Sequence, residues 1–86
     1  MKKALEMIVI GRVQGVGFRF YVKRKARLYG IVGYVKNLPN SNVKIVAIGE
    51  KIAMDNFMKK VKIGPDFSWV ADVKISNLSS TKDYSK

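Results

Sequence analysis

An α+β fold, one four-stranded sheet carrying two helices on a single face, is the class this 86-residue sequence predicts. Three observations predict it: the length suffices for one small domain, six apolar segments are separated by Gly, Pro and Asn, and their order reads strand, helix, strand, strand, helix, strand. The first segment, residues 5–10, is a short β-forming run ended by Gly11, which suits a central strand buried on both faces. Residues 18–29 place Phe18, Tyr21, Val22, Ala26 and Tyr29 on one helical face and Arg19, Lys23 and Arg27 on another, with Gly30 as the stop. Residues 31–36 and 43–48 are β-branched runs joined through Asn37-Leu38-Pro39-Asn40-Ser41-Asn42, a hairpin pattern. Residues 52–63 gather Ala53, Met54, Phe57 and Val61 on one face before Gly64-Pro65 ends the helix. In the last strand Trp69, Ala71, Val73 and Ile75 alternate with Val70, Asp72, Lys74 and Ser76, so the first set is expected on the core. Residues 76–86 are polar apart from Leu78 and Tyr84 and read as a loosely held tail to the single domain 1–86.

Two successive β-α-β units with right-handed crossovers arrange these segments as a ferredoxin-like sandwich with a mostly antiparallel sheet. Such a fold hosts many functions, so activity has to be argued from residues. Composition excludes much. The chain has no Cys and no His, which removes disulfides, thiolate nucleophiles, zinc-finger sites, the commonest general base and the commonest transition-metal ligand. Glu6 interrupts what would otherwise imitate a signal peptide, and no apolar run is long enough for a membrane span, so a cytoplasmic protein without membrane attachment is expected. Seventeen Lys and Arg against 6 Asp and Glu give a net charge of +11, and no acidic residue stands between Glu6 and Glu50. That balance favours an anionic ligand.

The most informative stretch is Gly11-Arg12-Val13-Gln14-Gly15-Val16-Gly17-Phe18-Arg19, where the first strand passes into the first helix. Glycines permit positive φ and close ligand approach, and a loop that turns its N–H groups inward before a helix N-terminus suits phosphate. It is not a Walker loop, since no Gly-Lys-Ser/Thr follows, nor the dinucleotide fingerprint, since Phe20 stands where the third glycine belongs. On spacing alone, a tight strand-to-helix connection with structural glycines explains it as well. Arg19 adds a second sign. A cation in the first turn opposes the helix dipole, so its presence there is easier to understand opposite a bound anion.

The segment Gly11 to Arg19 resembles the acylphosphatase signature, and Gly33-Tyr34-Val35-Lys36-Asn37 is similar to that family's second signature, followed by Val43 and Gly49. The resemblance covers the chain from the first strand through the last, leaving out the C-terminal tail. It implies a ferredoxin-like enzyme that hydrolyses small acyl phosphates to a carboxylate and inorganic phosphate with no metal or organic cofactor. It also implies that Arg19 and the backbone amides of Gln14, Gly15, Val16, Gly17 and Phe18 hold the phosphate while Asn37 orients water. One departure is Ser41, where the family pattern has glycine. A serine forced to positive φ there costs on the order of 1 kcal/mol, unless Asn40 or Asn42 takes that conformation instead.

The residue types agree with the implied roles. Arg presents a planar fork that stays charged and donates two parallel hydrogen bonds to phosphate oxygens, and an Asn amide both accepts from and donates to water. A carboxylate leaving group needs no general acid, so a chain without His has enough chemistry. Gln14 is expected to order the loop, Arg12 to support it or stay a surface charge, and Trp69, Phe57 and Tyr29 to belong to the core. The competing class is a basic RNA-binding or non-catalytic anion-binding module. Phe18-Arg19-Phe20 superficially resembles an aromatic RNA motif, but that motif belongs on a central strand, so no specific nucleic acid is expected. Charged helix faces without a large apolar patch predict a monomer.

Overall fold

The computed structural model describes residues 2–78 and shows the order β1 (Lys2–Arg12), α1 (Phe18–Tyr29), β2 (Val32–Asn37), β3 (Val43–Glu50), α2 (Lys51–Ile63) and β4 (Trp69–Asn77). The strands form one sheet in the order β2-β3-β1-β4. All three pairings are antiparallel, with Val9 opposite Val43 and Val73, and Asn37 opposite Val43. β1 is therefore central, as expected. Both helices share one face, because Phe18 and Val22 of α1 and Met54, Phe57 and Val61 of α2 join Leu5, Met7, Val9, Val43, Ile45 and Ala47 in one core.

α1 starts and stops where its periodicity placed it, and Gly30 closes it in the left-handed conformation with its N–H directed at the last-turn carbonyls. β1 runs further than expected at both ends, so Gly11 and Arg12 belong to the strand and not to the loop. Its second face is only partly covered, since Glu6, Ile8 and Ile10 alternate with the buried Leu5, Met7 and Val9. On that second face Lys44 reaches Glu6 at 3.3 Å, diagonally across the β1–β3 pair.

The last strand departs from simple alternation. Ile10 pairs with Asp72 but Gly11 pairs with Val70, leaving Ala71 as an extra residue in a bulge. Beyond the bulge the faces exchange: Val70 and Val73 pack on the core, whereas Trp69 is 66% exposed. The expectation that Trp69 belongs to the core is thereby corrected, and Ala71 likewise lies exposed. Phe57 is a core residue and Tyr29 packs on the core's edge, as expected. Ser76 and Asn77, assigned to the tail, are part of β4, and the Leu78 N–H donates to the Ala4 carbonyl at 2.9 Å. Residues 79–86 of the expected tail lie outside the described residues.

Candidate active site

Antiparallel pairing brings the ends of β1 and β2 and the starts of β3 and β4 to one end of the sheet. Three connections gather there: the loop 13–17, the hairpin turn 38–42 and the turn 64–68. In the first of these Gly15 and Gly17 both take positive φ, at 74° and 77°, and a Cβ at either would meet no other atom within 4 Å. The side of the loop that a side chain would cover is open. Val13 at its start and Phe18 after it are both 1% exposed and Val16 packs on the edge of the core, so the loop is pinned while Gly15 and Gly17 stay exposed.

Gly17 is also the N-cap of α1, and it offers no side chain to the first-turn N–H groups. The first turn contains no acidic residue, and the first helical bond runs from the Tyr21 N–H to the Gly17 carbonyl at 3.0 Å. The donors of residues 18–20 precede that bond and carry the positive end of the helix dipole. Arg19 is the second residue of this turn and is exposed, on the stripe it shares with Lys23 and Arg27. A cation is thus placed at a helix start that already lacks negative charge.

Asn37 closes β2 at the same end of the sheet. It is opposite Val43, and Val43 is opposite Val9. Directly paired residues share a face, so Asn37 lies in line with two core valines on the side of the sheet that the helices occupy. Gln14 links it to the glycine loop. The Gln14 side-chain amide donates at 2.8 Å to the carbonyl of Leu38, the residue after Asn37, and at 2.8 Å to that of Asn42. The same turn is closed by Leu38 N–H to Asn42 carbonyl at 2.8 Å and Ser41 N–H to Leu38 carbonyl at 3.2 Å. Loop and hairpin are one cross-braced unit. The sequence marked Gln14 as a loop-ordering residue, but its partners come from 24 and 28 residues away and no local pattern reveals them.

Ser41 itself takes φ 76°, so neither neighbouring Asn relieves it. Phe18 lies in the core at the head of α1 and not on a strand, which removes it from any stacking surface. Phe67, 90% exposed in the turn 64–68, belongs to no motif the sequence displays.

Fold and site together define a class: a ferredoxin-like α/β sandwich whose candidate site is a glycine loop leading into an uncapped helix N-terminus, an arrangement suited to anions. The acylphosphatase family model matches residues 5–86, including the C-terminal stretch that the motif resemblance left out. An acylphosphatase of Archaeoglobus fulgidus is 51% identical over 72 residues, covering 84% of this chain and 81% of that protein. The crystal structure of acylphosphatase from Bacillus subtilis superposes with a TM-score of 0.91 at 38% identity, over 98% of this chain and 92% of that one. An acylphosphatase from Coxiella burnetii gives a TM-score of 0.85 at 32% identity, over 90% and 81% of the two chains. The chain belongs to the acylphosphatase family and is a hydrolase of that family.

Proposed function

We propose that this protein hydrolyses the carboxyl–phosphate anhydride of small acyl phosphates, without a metal, at the glycine loop. The Arg19 guanidinium and the N–H groups of residues 14–18 hold the phosphoryl oxygens, and the Asn37 amide orients the attacking water. The observation that carries this reading is the brace from Gln14 to the carbonyls of Leu38 and Asn42, which couples an open, amide-rich loop to the residue after Asn37. A phosphoryl site and a water-orienting amide must keep a fixed separation, because catalysis of this kind is mainly positioning and charge stabilisation.

Water adds to phosphorus as the bond from phosphorus to the carboxyl oxygen breaks. The electron pair of that bond leaves on the carboxylate, and the water's proton passes to a phosphate oxygen. The leaving carboxylate has a conjugate acid near the Glu value of about 4.3, so it departs without protonation. Negative charge on the phosphoryl oxygens is met by Arg19 and the helix-start amides, which need no reorganisation at that moment. The chain contains no His to titrate near neutrality, so the rate is expected to be flat between about pH 6 and 8, and a sharp titration in that window would contradict proton transfer to substrate.

The test is hydrolysis of benzoyl phosphate in chelator by wild type, Arg19→Ala, Arg19→Lys and Asn37→Ala, with circular dichroism to verify folding. Loss of roughly a hundredfold or more in kcat/KM in both alanine variants, with Arg19→Lys only partly active, is the expected result. A folded wild type without turnover overturns the proposal.

A further inference from the structure

The outer side of the helix layer belongs to neither the core nor the glycine loop, and most of the net charge stands there. Five of the 12 residues of α1 are Lys or Arg and none is acidic. α2 adds four lysines against Asp55, whose carboxylate is already 4.0 Å from Lys51, and the next carboxylates along the chain, Glu50 and Asp66, stand beyond its ends. The two helices thus hold nine of the 17 cations and one of the 6 acids. The same side carries apolar residues that the core does not take up: Phe20, Leu28, Ile52 and Ile63 are each at least 67% exposed.

In α1, Phe20, Arg24 and Arg27 lie opposite the buried Phe18 and Val22, with Leu28 beside them, and in α2 Ile52, Lys59 and Ile63 lie opposite the buried Phe57 and Val61. α1 joins the end of β1 to the start of β2, and α2 the end of β3 to the start of β4, so the helices run in opposite directions. Phe20 and Ile63 therefore stand at the site end of the layer and Leu28 and Ile52 at the other end, with Arg24 and Lys59 between them. The two kinds of side chain are interleaved. The Arg24 guanidinium lies over the Phe20 ring at 5.7 Å, and Arg24, Arg27 and Leu28 line an open depression of about 310 Å³.

Cations alone would suit any polyanion, but the phosphates of a nucleic acid would leave the four apolar side chains in water. An anionic lipid surface uses both, because its headgroups meet the cations while apolar side chains enter the boundary between headgroups and acyl chains. Two guanidinium groups beside a leucine match a phosphate with acyl chains attached. No helix among the described residues is long and apolar enough to cross a membrane, which excludes a span but not attachment to the surface. We infer that the outer side of α1 and α2 is a docking surface for anionic lipid membranes, laid flat with Phe20, Leu28, Ile52 and Ile63 in the headgroup boundary. The helix-free side of the sheet then stays in water, and the docking holds whether or not the chain hydrolyses acyl phosphates.

The test is co-sedimentation of the full chain with vesicles of phosphatidylcholine alone and of phosphatidylcholine mixed with phosphatidylserine, at about 150 mM salt, where long-range attraction is screened. Binding is expected to the mixed vesicles only. Arg24→Gln with Arg27→Gln is expected to weaken it roughly tenfold or more, and Leu28→Gln with Ile52→Gln several-fold, each with native circular dichroism. Lys36→Gln with Lys74→Gln removes the same charge from the side opposite the helices, where both stand in line with Lys44 and Ile8, and is expected to leave binding within about twofold of wild type. Trp69, the only tryptophan, is also on that side, since its neighbour Val70 packs on the core, so its emission is expected not to shift when vesicles bind. No sedimentation with mixed vesicles, an equal loss in the two charge pairs, or a blue shift of Trp69 overturns the proposal. So does vesicle binding that Leu28→Gln with Ile52→Gln leaves unchanged while a single-stranded oligonucleotide competes it away, which would assign the cations to nucleic acid.

Discussion

Ser41 holds a backbone conformation that glycine would hold without strain, at φ 76° in the turn beside Asn37. The left-handed region costs a non-glycine residue about 1–2 kcal/mol, whereas glycine's extra freedom in the unfolded chain costs about 0.5–1 kcal/mol. Ser41→Gly is therefore expected to raise Tm by a few degrees in a thermal melt. A lower Tm would mean the serine side chain itself holds the turn. Tyr21 carries the opposite kind of effect. Its hydroxyl donates to the Lys60 carbonyl at 2.7 Å, tying the first turn of α1 to the end of α2, and that carbonyl also accepts from the Gly64 N–H. Tyr21→Phe leaves the carbonyl with one partner and should cost about 1 kcal/mol by denaturant unfolding. Burial of the hydroxyl, and secondarily Tyr29 nearby, pushes the Tyr21 pKa up. A raised folded-state value means this stability is complete below the unfolded pKa near 10 and is lost as pH rises through the folded one. The alkaline fall in Tm should accordingly be shallower in Tyr21→Phe than in wild type.

At the scale of elements, the pairing of loop 13–17 with the β2–β3 hairpin matters more than either segment alone. Gln14 makes both cross-bonds. The carbonyls it serves already accept from Ser41 and Leu38, so Gln14→Ala orphans neither and should cost only about 1 kcal/mol of stability. Its effect on hydrolysis should be larger, a loss of tenfold or more in kcat/KM, because a displacement of about 1 Å between the phosphate loop and Asn37 is enough. Denaturant unfolding measured beside benzoyl phosphate kinetics separates the two, and equal small effects on both would show that the brace does not position the site. The β4 bulge is the other element-level device. It presents Val70 to the core and Trp69 to water within two residues, which strict alternation also allows, but it reverses which of them the downstream pattern assigns inward.

The whole molecule is governed by its charge. A net +11 on 9.7 kDa attracts anionic substrates and repels copies of itself. Raising the salt concentration from about 10 mM to 150 mM shortens the Debye length from about 30 Å to 8 Å, so Tm is expected to rise while KM for the acyl phosphate also rises. No change in either would show that the charge is distributed without consequence for the fold or the site. Lys44 is an exception to the repulsion. Its hydrogen bond to Glu6, reinforced by the Glu6 charge, raises its pKa, so that contribution too is present below the ordinary lysine value and lost as pH rises past the folded one.

The sequence by itself determined the six elements, their order and the residues of the glycine loop, because periodicity and glycine, proline and asparagine punctuation are local signals. α1 followed its apolar stripe from Phe18 to Tyr29, and α2 buried the face that Met54, Phe57 and Val61 define. Arg19 was singled out by a cation at a helix start together with a motif, and Asn37 by the motif alone; their roles in hydrolysis are part of the proposal. Tertiary structure alone decided that Gln14 reaches across 24 and 28 residues, that Ser41 itself carries the positive φ, and that Trp69 turns outward. The physical reason is common to all three. Contacts between a loop and a turn distant in sequence, the backbone angle inside a turn and the extra residue of a bulge are fixed by how the segments assemble, and that assembly leaves no periodic trace along any one segment.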